Sequence, residues 1–107
     1  MTISNLNKIC TLLRGSFPAI DSGKDLALVL EVGRRQESGI PMTQKQLCLC
    51  GIAPAATVRR RLRRLVAKKI IKKAISDNDG RSVVLCLSDI ATKQLRHVSR
   101  SVKQMDW

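Results

Sequence analysis

The sequence has few aromatic residues and no long apolar run. Phe17 and Trp107 are its only aromatic residues, and there is no tyrosine. Many proteins that bind RNA or single strands stack unpaired bases on aromatic side chains. This composition therefore argues against nucleic-acid binding by base stacking. No apolar run reaches the ~18 residues that a membrane span needs, and the N-terminus lacks an apolar signal core. We therefore expect a cytoplasmic protein with no membrane partner and with an aliphatic core.

The patterns of catalytic and metal sites are also missing. His97 is the single histidine and the acidic residues are scattered, so no Ser-His-Asp set, carboxylate pair or phosphate loop is apparent. Cys48 and Cys50 lack the two-residue spacing of a zinc knuckle or a redox motif. We expect all four cysteines, which include Cys10 and Cys86, to be small buried hydrophobes in a reducing cytosol. The sequence predicts no enzyme, no metal site and no cofactor.

Positive charge is abundant and concentrated in one segment. The net charge is +12, and residues 54–75 carry nine basic residues and no acidic one. Such an imbalance destabilises a compact fold through self-repulsion, and a polyanionic partner offsets that cost. The charge therefore predicts a nucleic-acid partner, and the alternative is a generally basic, solvated helix face.

Apolar spacing predicts two helices in the first part of the chain. The spacing over residues 1–14 is that of one apolar stripe on a helix, formed by Ile3, Leu6, Cys10 and Leu13. Ser22 and Asp25 resemble a capping box that opens a second, central helix. The Ser-Gly-Ile-Pro sequence at 38–41 ends it.

Residues 43–69 have the pattern of a helix-turn-helix. Thr43 and Gln46 form a capping-box pair that opens a short helix through about Cys50. Gly51 suits the left-handed conformation that often ends a helix, and Pro54 suits the first turn of the next one. This next helix, the predicted recognition helix, runs over 54–69. Two helices joined by a tight turn make the motif.

A β-hairpin and a last helix follow. Residues 70–75 and 82–87 predict two strands, and the Asp-Gly pair at 79–80 is a strong hairpin signal between them. Ser88 can cap a helix over 88–105. A hairpin directly after a recognition helix is a wing. The fold class is therefore mainly α with a small β-hairpin wing (70–87), a winged helix-turn-helix that spans 1–107 as a single domain.

The recognition helix has an apolar side and a basic side. Val58, Leu62 and Leu65 should face the core, since they share one side at ~100° per residue. On the other side, we predict that Ala56, Thr57 and Arg60 read base edges in the major groove. The predicted phosphate contacts surround this face and are Thr43, Gln44, Arg59, Arg61, Arg63, Arg64 and Lys68. For Arg59 and Arg61 the alternative is that their stems only cover apolar surface.

The wing is the second predicted site. Arg81 and Ser82 follow the turn, and a narrow minor groove attracts arginine, so they are predicted to contact the DNA backbone or the minor groove. The alternative is that Arg81 pairs with Asp77 or Asp79 and merely holds the hairpin.

Two stretches of the chain resemble the MarR family, the multiple antibiotic resistance regulators. The first, residues 43–71, has a Thr-led helix, a turn, an Ala-Ala-Thr-Val helix start and a Leu-rich back face. The second, residues 79–91, has a wing element and a Leu-Ser helix start. Lys69 stands where the family often has glycine, and the chain is short for the family. The resemblance implies a dimeric transcriptional regulator, and a small-molecule effector is left unidentified.

The terminal helices at 1–14 and 88–105 are predicted to form a homodimer interface. Both have apolar residues at alternating spacings of three and four, and a dimer would place two recognition helices about 34 Å apart on DNA. The alternative is that both stripes fold back on their own domain. The predicted interface residues are Leu6, Leu13, Leu95, Val98, Val102 and Met105.

Together these patterns predict a sequence-specific double-stranded DNA-binding transcriptional regulator. One alternative is a winged-helix protein-interaction module, in which the basic face would meet an acidic protein. Another is a binder of structured RNA or a nonspecific nucleic-acid binder.

Overall fold

The computed structural model describes residues 3–16, 23–75 and 83–104. Within these ranges helices predominate, and the two strands form an antiparallel hairpin, which confirms the predicted fold class. Ser22, Met105 and residues 76–82, where the sequence predicts the wing turn, lie outside the described residues. The elements in chain order are α1 (Ile3–Ser16), α2 (Gly23–Glu37), α3 (Gln44–Cys48), α4 (Ala55–Ala67), β1 (Ile71–Ile75), β2 (Val83–Leu87) and α5 (Asp89–Lys103).

Local hydrogen bonds fix where the helices begin. The Thr43 hydroxyl accepts from the Gln46 amide at 3.2 Å, and the Gln46 side chain accepts from the Thr43 amide at 2.9 Å. This is the predicted capping box, and it satisfies two donors that a helix start leaves open. The Ser88 hydroxyl caps α5 by accepting from the Ala91 amide at 3.1 Å, without the reciprocal bond of a capping box. Pro54 is the N-cap of α4, one position before the first turn in which it was expected.

The end of α4 sets the direction of the wing strand. The Lys69 amide donates to the Val66 carbonyl and the Ile70 amide to the Leu65 carbonyl, both at 3.0 Å. These two bonds form a Schellman motif, and Leu65 and Ile70, which such motifs bring together, are both buried. The motif places Lys69 at φ 60°, in the left-handed region that normally favours glycine. The chain therefore turns sharply from α4 into β1 at the cost of strain at Lys69.

The strand β2 links the hairpin to α2 and to the start of α3. The Leu85 amide donates to the Met42 carbonyl at 2.8 Å, and Thr43 and Val84 form an isolated bridge. The Leu87 amide donates to the Gln36 side chain at 2.8 Å. These bonds hold the hairpin against the helix-turn-helix.

The core is aliphatic, as expected. Its members come from α2, α3, α4, the hairpin, the start of α5 and the segment before α3, and include Leu28, Val29, Val32, Met42, Leu47, Val58, Leu62, Leu65, Ile71, Leu85, Leu87 and Ala91. The terminal helices α1 and α5 pack against each other. None of the described helices is long and apolar enough to cross a membrane.

The expectation of four buried cysteines is wrong for two of them. Cys10 on α1 and Cys50 after α3 are exposed, while Cys48 and Cys86 are partly buried. The reason is that the apolar stripe of α1 that contains Cys10 points away from the protein, and that Cys50 lies in the turn beyond the end of α3.

Replacement of Lys69 by glycine should stabilise the protein. Relief of the left-handed strain is worth about 1–2 kcal/mol, and the greater chain entropy of glycine when unfolded offsets part of it. We expect Lys69→Gly to raise the free energy of unfolding by about 0.5–1 kcal/mol in urea denaturation. Lys69→Ala, which removes the charge but keeps the Cβ atom, is the matched control. Equal stabilities of the two variants would contradict the strain at this position.

Candidate nucleic-acid interface

The helix α4 is divided into a buried side and an exposed basic side. Val58, Leu62 and Leu65 are each at most 1% exposed. Arg60 and Arg63 lie on the other side and are exposed to solvent. The sequence predicted both sides, because the apolar residues recur with the period of a helix.

The first turn of α4 presents small side chains. Ala56 is exposed and Thr57 is half-buried, and the turn contains no acidic residue. Small side chains let the backbone approach a partner closely, and a helix N-terminus carries partial positive charge that favours phosphate. The predicted base-reading residues Ala56, Thr57 and Arg60 therefore share one end and one side of α4.

Four further basic residues of the predicted set surround this side. Arg59, Arg63, Arg64 and Lys68 are exposed. At the start of α3, Thr43 and Gln44 are partly buried. The Thr43 hydroxyl already accepts the capping bond, but a hydroxyl still has a proton to donate.

Arg61 is the exception, and the structure corrects its predicted role as a phosphate contact. One of its terminal nitrogens, Nη1, lies 3.2 Å from Oδ1 of Asp25 on α2. The side chains are 19% and 3% exposed, respectively. A buried carboxylate needs a partner of opposite charge, and Arg61 supplies it. Arg61 therefore joins α4 to α2 instead of extending the exposed basic surface.

The sequence-based site omitted basic residues beyond α4. Lys69, Lys72 and Lys73 are exposed and continue the positive charge from the end of α4 along β1. The charge count over 54–75 includes them, but the predicted site takes in only the recognition helix, the start of α3 and the wing residues Arg81 and Ser82. The predicted wing residues Arg81 and Ser82 lie outside the described residues.

The predicted dimer residues are split between the two terminal helices. On α1, Leu6 is 50% exposed, Leu13 is partly buried, and the neighbouring Ile3 is 85% exposed. The apolar stripe of α1 thus faces outward. Met105 lies outside the described residues.

On α5 the apolar stripe faces inward, in line with the alternative reading for that helix. Val98 is 5% exposed within a single chain, so it is not the exposed partner contact that was expected. Leu95 packs against the core, and Val102 is partly buried. The reason is that α5 packs against α1 of its own chain.

A cleft of about 430 Å³ lies between α2, β2 and α5 and is lined in part by Leu30, Leu95 and Arg96. Beside it, Arg34 donates a hydrogen bond to Glu31, and this bond lowers the pKa of the Glu31 carboxyl group.

No group of three His, Cys, Asp or Glu side chains within the described ranges could hold a metal ion.

The two roles of the arginines predict different effects on stability. Arg61→Met keeps the apolar stem but removes the charged partner of buried Asp25, and we expect a loss of about 2–3 kcal/mol in the free energy of unfolding. Arg59→Met, on the exposed surface of the same helix, should change it by less than about 0.5 kcal/mol. Urea denaturation of both variants measures the difference. Equal losses would show that Arg61 is not a structural residue.

The chain resembles known proteins in its structure and not in its sequence. No family model and no curated protein matches the chain. The S. aureus MepR–DNA complex is 17% identical with a TM-score of 0.68, and the match covers 92% of this chain and 74% of that one. Apo MarR from E. coli is 18% identical with a TM-score of 0.60, with 97% and 78% covered.

A MarR family transcriptional regulator from Silicibacter pomeroyi is 23% identical with a TM-score of 0.63, and the match covers 94% of this chain and 62% of that one. These identities are low, but the matches take in nearly the whole of this chain, including the helix-turn-helix and the hairpin. The protein therefore has a MarR-like winged-helix fold.

Proposed function

We propose that this protein is a sequence-specific, double-stranded DNA-binding transcriptional regulator whose helix α4 enters the major groove. The observation that carries the proposal is that α4 exposes a face of arginines while its other side is buried in the core. A helix fixed in this way presents its cations in a constant orientation. A structure of S. aureus MepR with the same fold was solved as a complex with DNA, which supports the proposal.

The side chains at the start of α4 suit the edges of base pairs. Arg60 can donate two hydrogen bonds to O6 and N7 of guanine, and the Thr57 methyl group can contact a thymine methyl group. Ala56 is small enough to let the backbone approach. We assign base reading to these three residues.

The surrounding basic residues would neutralise phosphates and supply most of the affinity. Arg59, Arg63 and Arg64 lie on α4 around the base-reading residues, and Lys68 lies at its end. Thr43 and Gln44 can donate to phosphate from the start of α3. If the basic side chains of one protein neutralise six phosphates, log K falls with log salt at a slope of about −5. The wing residues Arg81 and Ser82 remain predicted contacts to the backbone or minor groove.

The composition of the exposed side of α4 weighs against the alternatives. A protein-interaction module would present apolar or mixed-charge side chains there, whereas this side has arginine, alanine and threonine, and Lys68 follows at the end of the helix. Single strands are bound through aromatic stacking, and Phe17 and Trp107 are the only aromatic residues of the chain. Double-stranded RNA has a deep, narrow major groove that the side chains of a helix such as α4 cannot read.

We further propose a homodimer formed through α1. The exposed stripe of Ile3, Leu6 and Cys10 is apolar and belongs to a helix whose other side packs on α5. A second copy would cover this stripe by the same surface on both subunits, as in a two-fold dimer. Two recognition helices could then contact one pseudo-palindromic site.

The base-reading role predicts a loss of specificity in Arg60→Ala. Fluorescence anisotropy should show that wild type prefers a duplex selected from a random library over random duplex, and that Arg60→Ala loses about 1–3 kcal/mol of that preference. Arg14→Ala, which removes an exposed arginine from α1, should keep it. The proposal fails if wild type does not bind duplex DNA at low salt, or if the two variants behave alike.

The dimer proposal predicts a strong effect of a charge on the α1 stripe. Leu6→Glu should weaken dimerisation in sedimentation equilibrium by roughly tenfold or more, because burial of a leucine side chain is worth about 1.5–3 kcal/mol. It should also reduce the salt slope of DNA binding, since one recognition helix then binds alone. Ile40→Glu, at a residue that is 66% exposed elsewhere, is the control. A wild-type protein that sediments as a monomer would contradict the proposed dimer.

A further inference from the structure

The helix α5 carries a second basic surface that is separate from α4. Lys93, Arg96, Arg100 and Lys103 are all exposed. Their spacing of three, four and three residues places them within an arc of ~80° at ~100° per residue. With a rise of 1.5 Å per residue the stripe is about 15 Å long. We call these four residues the α5 stripe.

The other side of α5 is fixed to the domain. Ala91 is 1% and Val98 is 5% exposed, and Leu95 packs against the core. The apolar side of α5 is therefore covered by the rest of the domain. A membrane-binding amphipathic helix inserts its apolar side into the lipid surface, and α5 has no free apolar side for this. A partner of α5 would therefore contact its exposed basic side chains.

The charge of the stripe is not neutralised within the described parts of the chain. There, none of its four side chains forms an ion pair, in contrast to Arg34, which binds Glu31. Asp89 is the single acidic residue of α5. The adjacent helix α1 has no acidic residue and adds Lys8 and Arg14, both exposed. Like charges held this close repel each other, so an anionic partner would stabilise the surface.

The two basic surfaces belong to different parts of the domain. The recognition helix α4 packs on α2, α3 and β1, whereas the main packing partner of α5 is α1. Because α4 and α5 pack mainly on different elements, a duplex held in its major groove by α4 need not cover the α5 stripe.

We propose that the α5 stripe binds the phosphates of a second DNA duplex, so that the protein bridges two duplexes. This rests on the proposed function, in which α4 holds the first. The stripe, at about 15 Å, exceeds the ~12 Å width of the major groove, so its two ends can reach phosphates on both strands. The second contact is independent of sequence, because the stripe consists of lysine and arginine without the small side chains that let a backbone approach the bases.

A two-duplex capture experiment tests this proposal. One duplex is immobilised, a fluorescent duplex of the same sequence is free, and the captured fluorescence is measured at fixed salt. Three double variants with equal loss of charge are compared: Arg96→Gln/Arg100→Gln on α5, Arg63→Gln/Arg64→Gln on α4, and Lys24→Gln/Arg35→Gln on α2 as the control. Anisotropy gives the affinity of each variant for one duplex, and sedimentation gives its oligomeric state.

We expect wild type and the α2 control to capture the free duplex. The α5 variant should lose capture by at least fivefold while its affinity for one duplex changes by less than twofold. Should this variant fail to fold, Lys93→Gln/Lys103→Gln replaces it. Loss of single-duplex binding in the α4 variant supports the proposed function. If the α4 variant binds one duplex with wild-type affinity, the proposed function is contradicted, whatever the α5 variant shows about bridging.

Four results would overturn the bridge. Wild type could bind one duplex and capture no second one. The α5 variant could capture as wild type does, as expected of a dimer that bridges through its two recognition helices. The α5 variant could lose single-duplex affinity in proportion, which would assign the stripe to the same duplex. Finally, double-stranded RNA or an acidic protein could release the second duplex at a lower concentration than competitor DNA. That result would show that the α5 stripe prefers a partner other than DNA.

Discussion

The whole arrangement depends on the burial of one narrow apolar stripe of α4. Five of the 13 residues of this helix are arginines, and their mutual repulsion opposes folding. Val58, Leu62 and Leu65 oppose that repulsion, because each is almost fully buried and full burial of such a side chain contributes roughly 1.5–3 kcal/mol. The same burial fixes the rotation of the helix and so decides which arginines face outward.

The ion pair between Arg61 and Asp25 refines this arrangement. Asp25 is 3% exposed on α2, and its carboxylate holds the arginine that lies nearest to the border between the two sides of α4. One arginine of the recognition helix therefore fastens the helix to its support while its neighbours stay exposed. A change of Arg61 should act on DNA binding through the stability and orientation of α4, and a change of Arg60 through contact with the bases.

The features that could be predicted from the sequence are local. The capping box of Thr43 and Gln46, the Ser88 cap and the two sides of α4 depend on residues within a few positions of each other. The role of Arg61 could not be predicted, because its partner lies 36 residues earlier in the chain. The inward position of Val98 was also missed, since an apolar stripe does not show whether its own chain or a second copy covers it.

Methylation interference on a selected duplex tests most directly whether α4 lies in the major groove. Guanine N7 lies in that groove and adenine N3 in the minor groove. The account predicts that methylation at N7 of particular guanines blocks wild-type binding, and that Arg60→Ala loses sensitivity at one of them. Binding that is indifferent to guanine N7, or that responds only to adenine N3, would contradict it.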